Sequence, residues 1–465
     1  MRRLIFLLLG LLLIVGSQVF ISGCGQILAP TGGPRDSIPP RLINAIPKPG
    51  AVNFTGNKIT LYFDEYVQID QLQQNLLVSP SPKLSPNIDS KLRTVTIKLR
   101  DTLEKNTTYT INLGDAIKDL NEGNVLKQFT YVFSTGPILD SMDFSGHVQL
   151  AETGQTDSTL IVLLYKNLAD SAVQKLKPNY IARVSRDGNF TFRNLAPGVY
   201  KVYALKDLDG SHIYNDKKKL FAFADSPVIV NNSTHPVNLN AYAEEREKVI
   251  EKTNSSDKKL RYSTKIQGDN QDLLSTLVIT FNKPLKNFDS LKILLTDTLF
   301  EKDPGARVFI DSTRKKVTIQ KTWQENEYYK LVISKDLSDT SGTKLTKSDT
   351  LRFKTRKEDD YGSLTINFAD ISKFKNPVLQ FVTGNDIIES SPLASTIWKQ
   401  KLFVPGDYEL RVLNDENKNG IWDPGNFAKK KQPEKVYLVA KKISVRGGGW
   451  DNEKDILSDD IKLIK

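Results

Sequence analysis

Lys58-Ile59-Thr60-Leu61-Tyr62-Phe63 places an apolar side chain at every second position, and Leu277, Ile279 and Phe281 repeat the pattern 218 positions later. A period of two is that of a strand with one face buried. Working outward, Val95 and Ile97 return as Val317 and Ile319. Tyr109, Ile111 and Leu113 return as Tyr329, Leu331 and Ile333, and Phe133-Ser134-Thr135 as Phe353-Lys354-Thr355, both 220 positions on. One module, A, is therefore written twice. Its connections, such as Asn121-Glu122-Gly123-Asn124 and Thr340-Ser341-Gly342, are rich in turn formers, and no amphipathic helix of useful length intervenes. Strands that must bury one face without helices to cover it predict a β-sandwich.

A second module, B, is marked by Asn194-Leu195-Ala196-Pro197-Gly198-Val199-Tyr200 and by Leu402-Phe403-Val404-Pro405-Gly406-Asp407-Tyr408 at a shift of 208, with Phe190 matching Trp398. Pro presets φ and Gly supplies a positive φ, so Pro-Gly ahead of alternating Tyr200 and Val202 reads as a tight turn feeding a strand. The expected architecture is all-β, tandem β-sandwich modules in an A-B-A-B arrangement behind a leader. A1 covers residues 41–137, B1 138–240, a charged linker 241–259, A2 260–357 and B2 358–465.

The 465 residues are 39% apolar and 26% charged, which fits a folded chain and excludes global disorder and a polytopic membrane protein. The net charge of +11 is spread thinly, with no basic block interleaved with aromatics, so nucleic acid is not an expected partner. Three histidines and one cysteine exclude disulfide frameworks, structural zinc and cysteine nucleophiles.

That cysteine closes a leader. Met1-Arg2-Arg3 precedes an apolar run from Leu4 to Phe20, the form of an export signal over residues 1–23. Ile21-Ser22-Gly23-Cys24 then resembles a bacterial lipoprotein lipobox, which implies a diacylated Cys24 as the mature N-terminus. Acyl chains contribute about 0.8 kcal/mol per buried CH₂, so two or three of them anchor a protein without a spanning helix. Residues 24–40, rich in Gly and Pro, read as a flexible tether. The wording from Cys24 to Pro40 resembles outer-membrane lipoproteins of Bacteroidetes-type bacteria that carry Ig-like domains. In such proteins acidic residues after the cysteine accompany export to the surface. Gly25, Gln26, Ile27 and Leu28 offer none, which favours the periplasmic face.

Residues 39–135 resemble the bacterial Ig-like domain of S-layer and surface proteins, and A2 resembles it more loosely. The Asn-Leu-x-Pro-Gly-x-Tyr wording of B resembles transthyretin-like or carboxypeptidase-regulatory-like sandwiches, which implies stalk or accessory modules.

One loop carries chemistry. After the strand that starts near Tyr408, Asp415, Asn417, Asn419 and Asp423 set oxygen-bearing side chains at alternate positions around Gly420, with the Ile421 carbonyl between them. This is the opening of an EF-hand-type Ca²⁺ loop. Asn426 stands where the bidentate acid belongs, so the expected affinity is modest. The other reading is a turn held by its own Asx side chains and plugged by Trp422. The matching stretch in B1, Asp207 to Asn215, keeps an aromatic at Tyr214 but loses most of the oxygens.

No serine-nucleophile elbow, zinc-protease motif or phosphate-cradling glycine loop is present, and the acidic pairs Asp64-Glu65 and Asp359-Asp360 read as solvated edges. The expected function is a non-catalytic, membrane-anchored scaffold of the cell envelope with a protein or glycan partner. A surface adhesin or glycan binder is the first alternative, and a hydrolase with a site between modules the second.

Overall fold

The computed structural model describes residues 35–245, 259–266, 268–384 and 386–463. The leader, Ile21, Ser22, Gly23, Cys24 and most of the tether and linker lie outside the described residues. Among those described, the regular structure is almost entirely strand, and no helix is long and apolar enough to cross a membrane. A first compact unit ends at Leu139, and a second takes in Asp140 onward together with Ser79–Ser81.

In A1, Leu42–Ile46, Lys58–Phe63, Thr94–Lys98 and Asn87–Lys91 form one sheet, and Phe129–Ser134, Thr108–Gly114 and Leu77–Ser79 form another. Alternation decides which side chains meet. Ile59, Leu61, Phe63, Val95 and Ile97 from the first sheet and Tyr109, Ile111, Leu113, Tyr131 and Phe133 from the second share one core. Each such side chain, fully buried, is worth about 1.5–3 kcal/mol.

The repeat is reproduced residue for residue in strand register. Ile59 pairs with Ile97 and Leu61 with Val95 in A1, while Leu277 pairs with Ile319 and Ile279 with Val317 in A2. Tyr109 faces Phe133, and Tyr329 faces Phe353. A one-residue slip would turn every apolar side chain to solvent, so this shared register is what the shared pattern demands. A2 closes around its own core, which includes Trp323.

The B modules share a different topology. In B1, Met142–Leu150 pairs antiparallel with Asn189–Leu195 and parallel with Val237–Ala241. In B2, Gly362–Phe368 does the same with Ile397–Phe403 and Asp451–Ile456. The facing sheets are built around Leu160–Tyr165 with Gly198–Lys206 and around Pro377–Thr383 with Gly406–Asn414. Each B module has a separate core. The Pro-Gly turns are held by the tyrosine that follows: Tyr200 Oη donates to the Ala196 carbonyl (2.8 Å) and Tyr408 Oη to that of Val404 (2.9 Å).

Within the second unit the modules touch. Tyr361 of B2, wholly buried, accepts a hydrogen bond from the Leu273 N–H of A2 (2.8 Å) and donates to Asp272 (3.1 Å). B2 also docks on B1, through the loop described next.

Candidate cation loop and the contact it carries

The strand Gly406–Asn414 delivers Asp415 to the base of the loop, and Val436–Val445 carries the chain away. Asp415 is 2% exposed, and its two oxygens accept from the backbone N–H groups of Asn419 (3.1 Å) and Gly420 (2.7 Å). Gly420 has φ +77°, the left-handed backbone that a glycine adopts without Cβ strain. Asn417 Nδ2 and Asn419 Nδ2 (3.0 Å) both donate to Asp423 Oδ2. Asn419 Oδ1 accepts from the Ile421 N–H (2.8 Å). Asp415, Asn417, Asn419 and Asp423 are thus brought together, linked by Asx bonds within the loop, while the Ile421 side chain points to solvent at 63% exposure.

Glu434 completes the arrangement, and spacing gave no sign of it. It is 2% exposed and its carboxylate reaches across the loop, accepting from the N–H of Glu416 (2.8 Å) and of Asp423 (3.0 Å). Burial, with smaller contributions from the Asp423 and Asp415 charges, pushes its pKa above the usual carboxylate range, against the lowering effect of those two N–H groups. Trp422 Nε1 donates to the Glu434 carbonyl (3.0 Å), which seats the indole as a buried plug. Asn426 forms a backbone bridge with Lys431, and its Oδ1 accepts from the Lys429 N–H (2.9 Å). Among the described residues no three Asp, Glu, His or Cys side chains gather closely enough to hold a metal by themselves. The expected ligand set comprises two carboxylates, two side-chain amides and the Ile421 carbonyl. Both amide oxygens already accept backbone N–H groups, Asn417 Oδ1 that of Asn419 (3.1 Å) and Asn419 Oδ1 that of Ile421, so a cation would have to displace these bonds to gain them. Calcium takes amide and carbonyl oxygen as well as carboxylate.

In B1, Asp207 occupies the equivalent place, with Oδ2 on the His212 N–H (3.2 Å) and ring (2.5 Å). Tyr214 is buried like Trp422.

The same B2 loop then crosses to B1. Phe427 enters an aromatic socket of Tyr203, Tyr214, Phe221 and Phe223, with ring centroids 5.1–6.1 Å away. Its N–H donates to Glu244 Oε1 (3.1 Å), which also accepts from Tyr214 Oη (2.9 Å). Gln432 Nε2 bonds the Phe223 carbonyl (3.0 Å) and Asp225 (2.7 Å), and Lys430 pairs with Asp170. Gly425 lies so close to the Tyr242 ring that a Cβ would overlap it. Tyr242 exchanges two backbone bonds with Phe221, so it and Glu244 belong to the body of B1. Their position in a charged run concealed this.

Comparisons with known proteins bear on one module. The chain resembles the major pilin subunit of Bacillus cereus at 12% identity, covering 68% of this chain and 99% of that one with a TM-score of 0.16. It resembles the S-layer protein SbsC at 11%, covering 86% and 57% with a TM-score of 0.15. It also resembles part of the Escherichia coli α2-macroglobulin at 16%, covering 45% and 72% with a TM-score of 0.21. Scores this low support no argument about arrangement or function. No curated protein matches the sequence. Residues 36–135 match the family described as Bacterial Ig-like domain, and the two facing sheets of A1 agree with it. A1 is a bacterial Ig-like domain.

Proposed function

We propose that the chain is a non-catalytic scaffold of the cell envelope, tethered by lipid on Cys24 to the outer membrane with its modules on the periplasmic side. The observation that carries this reading is the place of the sequence's one cysteine, at the end of an apolar leader and upstream of four sandwich modules with separate cores. The buried acids support a structural role. Asp119 accepts from three successive N–H groups of the 122–124 turn, Asp339 from those of Ser341 and Thr343, and Glu434 spans the B2 loop. Each holds a turn in place. Fractionation and protease shaving of intact cells test the placement. Membrane-bound protein, resistant to protease until the outer membrane is opened, is expected. Release of the modules from intact cells would move them to the surface.

In this reading the loop Asp415–Asp423 takes Ca²⁺ weakly, through Asp415, Asn417, Asn419, the Ile421 carbonyl and Asp423. Sites of this kind have Kd values of about 10⁻⁴–10⁻³ M, and a concentration of ten times Kd stabilises by about 1.4 kcal/mol. The full chain should melt higher in millimolar calcium than in chelator, and the difference should vanish in Asp415→Ala/Asp423→Ala. Equal melting in wild type would leave the loop as an Asx-stabilised turn.

A further inference from the structure

The solvent face of one A2 sheet carries cations that its counterpart in A1 lacks. The strand Tyr328–Ile333 turns Tyr329, Leu331 and Ile333 into the core, which leaves Tyr328, Lys330 and Val332 facing outward, and Asp349–Thr355 likewise presents Thr350, Arg352 and Lys354. Register sets Lys330 beside Arg352 and Tyr328 beside Lys354, and it continues the first row through Thr296 to Lys302. Neighbouring strands lie about 4.8 Å apart, within a Debye length of about 8 Å, so the charges act together. These outward positions include no Asp or Glu.

Folding does not require this charge. At the same register positions A1 carries Thr110 beside Val132 and Thr108 beside Ser134, with Asn112 and Thr130 next along the strands. Neutral side chains build the same sheet there, so the cations are an addition to A2 and not a condition of the module.

An apolar tip adjoins the row. The connection that follows Ile293–Thr296 exposes Leu299 (79%) and Phe300 (57%). Asp297 Oδ1 braces it by accepting from the N–H groups of Leu299 (2.8 Å) and Glu301 (2.9 Å), while Phe300 takes φ +69°, a strained backbone for a bulky side chain. Lys330 Nζ donates to the Thr298 carbonyl (2.6 Å) and stands 3.6 Å from the centre of the Phe300 ring, and Lys354 Nζ stands 4.9 Å from that of Tyr328. Ring faces covered by ammonium groups are poorly placed to stack on a sugar. Basic side chains around exposed Leu and Phe suit a membrane interface instead, where charge meets the headgroups and apolar side chains reach the acyl boundary.

We propose that this face of A2 docks on an anionic lipid surface, with Lys302, Lys330, Arg352 and Lys354 against the headgroup phosphates and Leu299 and Phe300 dipping between the lipids. Charge complementarity selects an anionic partner, and the apolar tip selects a lipid surface over a soluble polyanion. The contact goes beyond the scaffold reading and depends neither on calcium nor on an acyl group at Cys24.

The test uses residues 25–465, which keep all four cores and lack the apolar leader and Cys24, so that the acyl anchor has no part in the outcome. Co-sedimentation is read with vesicles of phosphatidylcholine alone and of an equal mixture with phosphatidylglycerol, at low and at physiological salt, with melting temperature as the check on folding. The chain should bind the anionic vesicles in preference to the neutral ones, and salt should weaken that binding. A cation at an anionic membrane surface is worth about fivefold in affinity, so Lys302→Gln/Arg352→Gln/Lys354→Gln should weaken binding about a hundredfold. A second variant, Leu299→Ser, keeps every charge and should weaken it severalfold. No preference for anionic vesicles, or unchanged binding in either variant, would overturn the proposal. Heparin binding more tightly than the anionic vesicles would overturn it too, and would assign the face to a soluble polyanion.

Discussion

Tyr200 and Tyr408 show how one side chain sets a turn. Each sends its hydroxyl to the carbonyl four residues upstream, which fixes the Pro-Gly corner that launches its strand. Tyr408→Phe should cost about 0.5–1.5 kcal/mol in denaturant unfolding of B2, the usual net worth of one hydrogen bond. Asp339 illustrates the same economy with a charge. Burial would raise its pKa, but the Ser341 hydroxyl, the Thr343 N–H and the Lys283 ammonium hold it at about 2 against an ordinary 3.8. With the folded value below the unfolded one, the stabilisation is in full force above the ordinary carboxylate range and is lost as pH falls toward 2. At about 1.4 kcal/mol per pKa unit this amounts to about 2 kcal/mol. Asp339→Asn should therefore speed hydrogen exchange in the strand Tyr328–Ile333 at neutral pH, and the gap from wild type should close by pH 2. A gap independent of pH would mean that the charge is not what stabilises the turn.

Strands were legible in the sequence because burial on one face imposes a period of two, and the repeat was legible because both copies must keep the same register. Ile59 opposite Ile97 and Leu277 opposite Ile319 are the same constraint stated twice. The Asx loop was legible for a similar local reason. Glu434 was not: it reaches the loop only because the strand Val436–Val445 pairs with Gly406–Asn414, a contact made in three dimensions. Phe427 was equally hidden, lying among polar neighbours with nothing to mark its socket on another module. Truncating a buried Phe to Ala costs about 3–5 kcal/mol in general. Phe427→Ala should remove much of that from the coupling of B2 to B1, so that calorimetry of the full chain shows the second unit melting in more separate steps than wild type. An unchanged profile would show that the aromatic socket does not couple the modules.

At the scale of the molecule, sequence order and spatial order differ. B1 and B2 are separated by A2 along the chain, yet the B2 loop crosses to B1 while Tyr361 pins B2 to A2. An A-B-A-B string implied neighbours in series, and no local pattern encodes a contact between modules some two hundred residues apart. The proposed function rests on the other end of the chain, where the sequence's single cysteine follows the apolar run Leu4 to Phe20. Its most direct test is mass spectrometry of the N-terminal peptide of protein extracted from membranes. The account predicts a chain beginning at Cys24 with acyl groups on sulfur, and in Cys24→Ser an unacylated chain that retains residues 1–23. A free Cys24 thiol on the wild-type protein would contradict it.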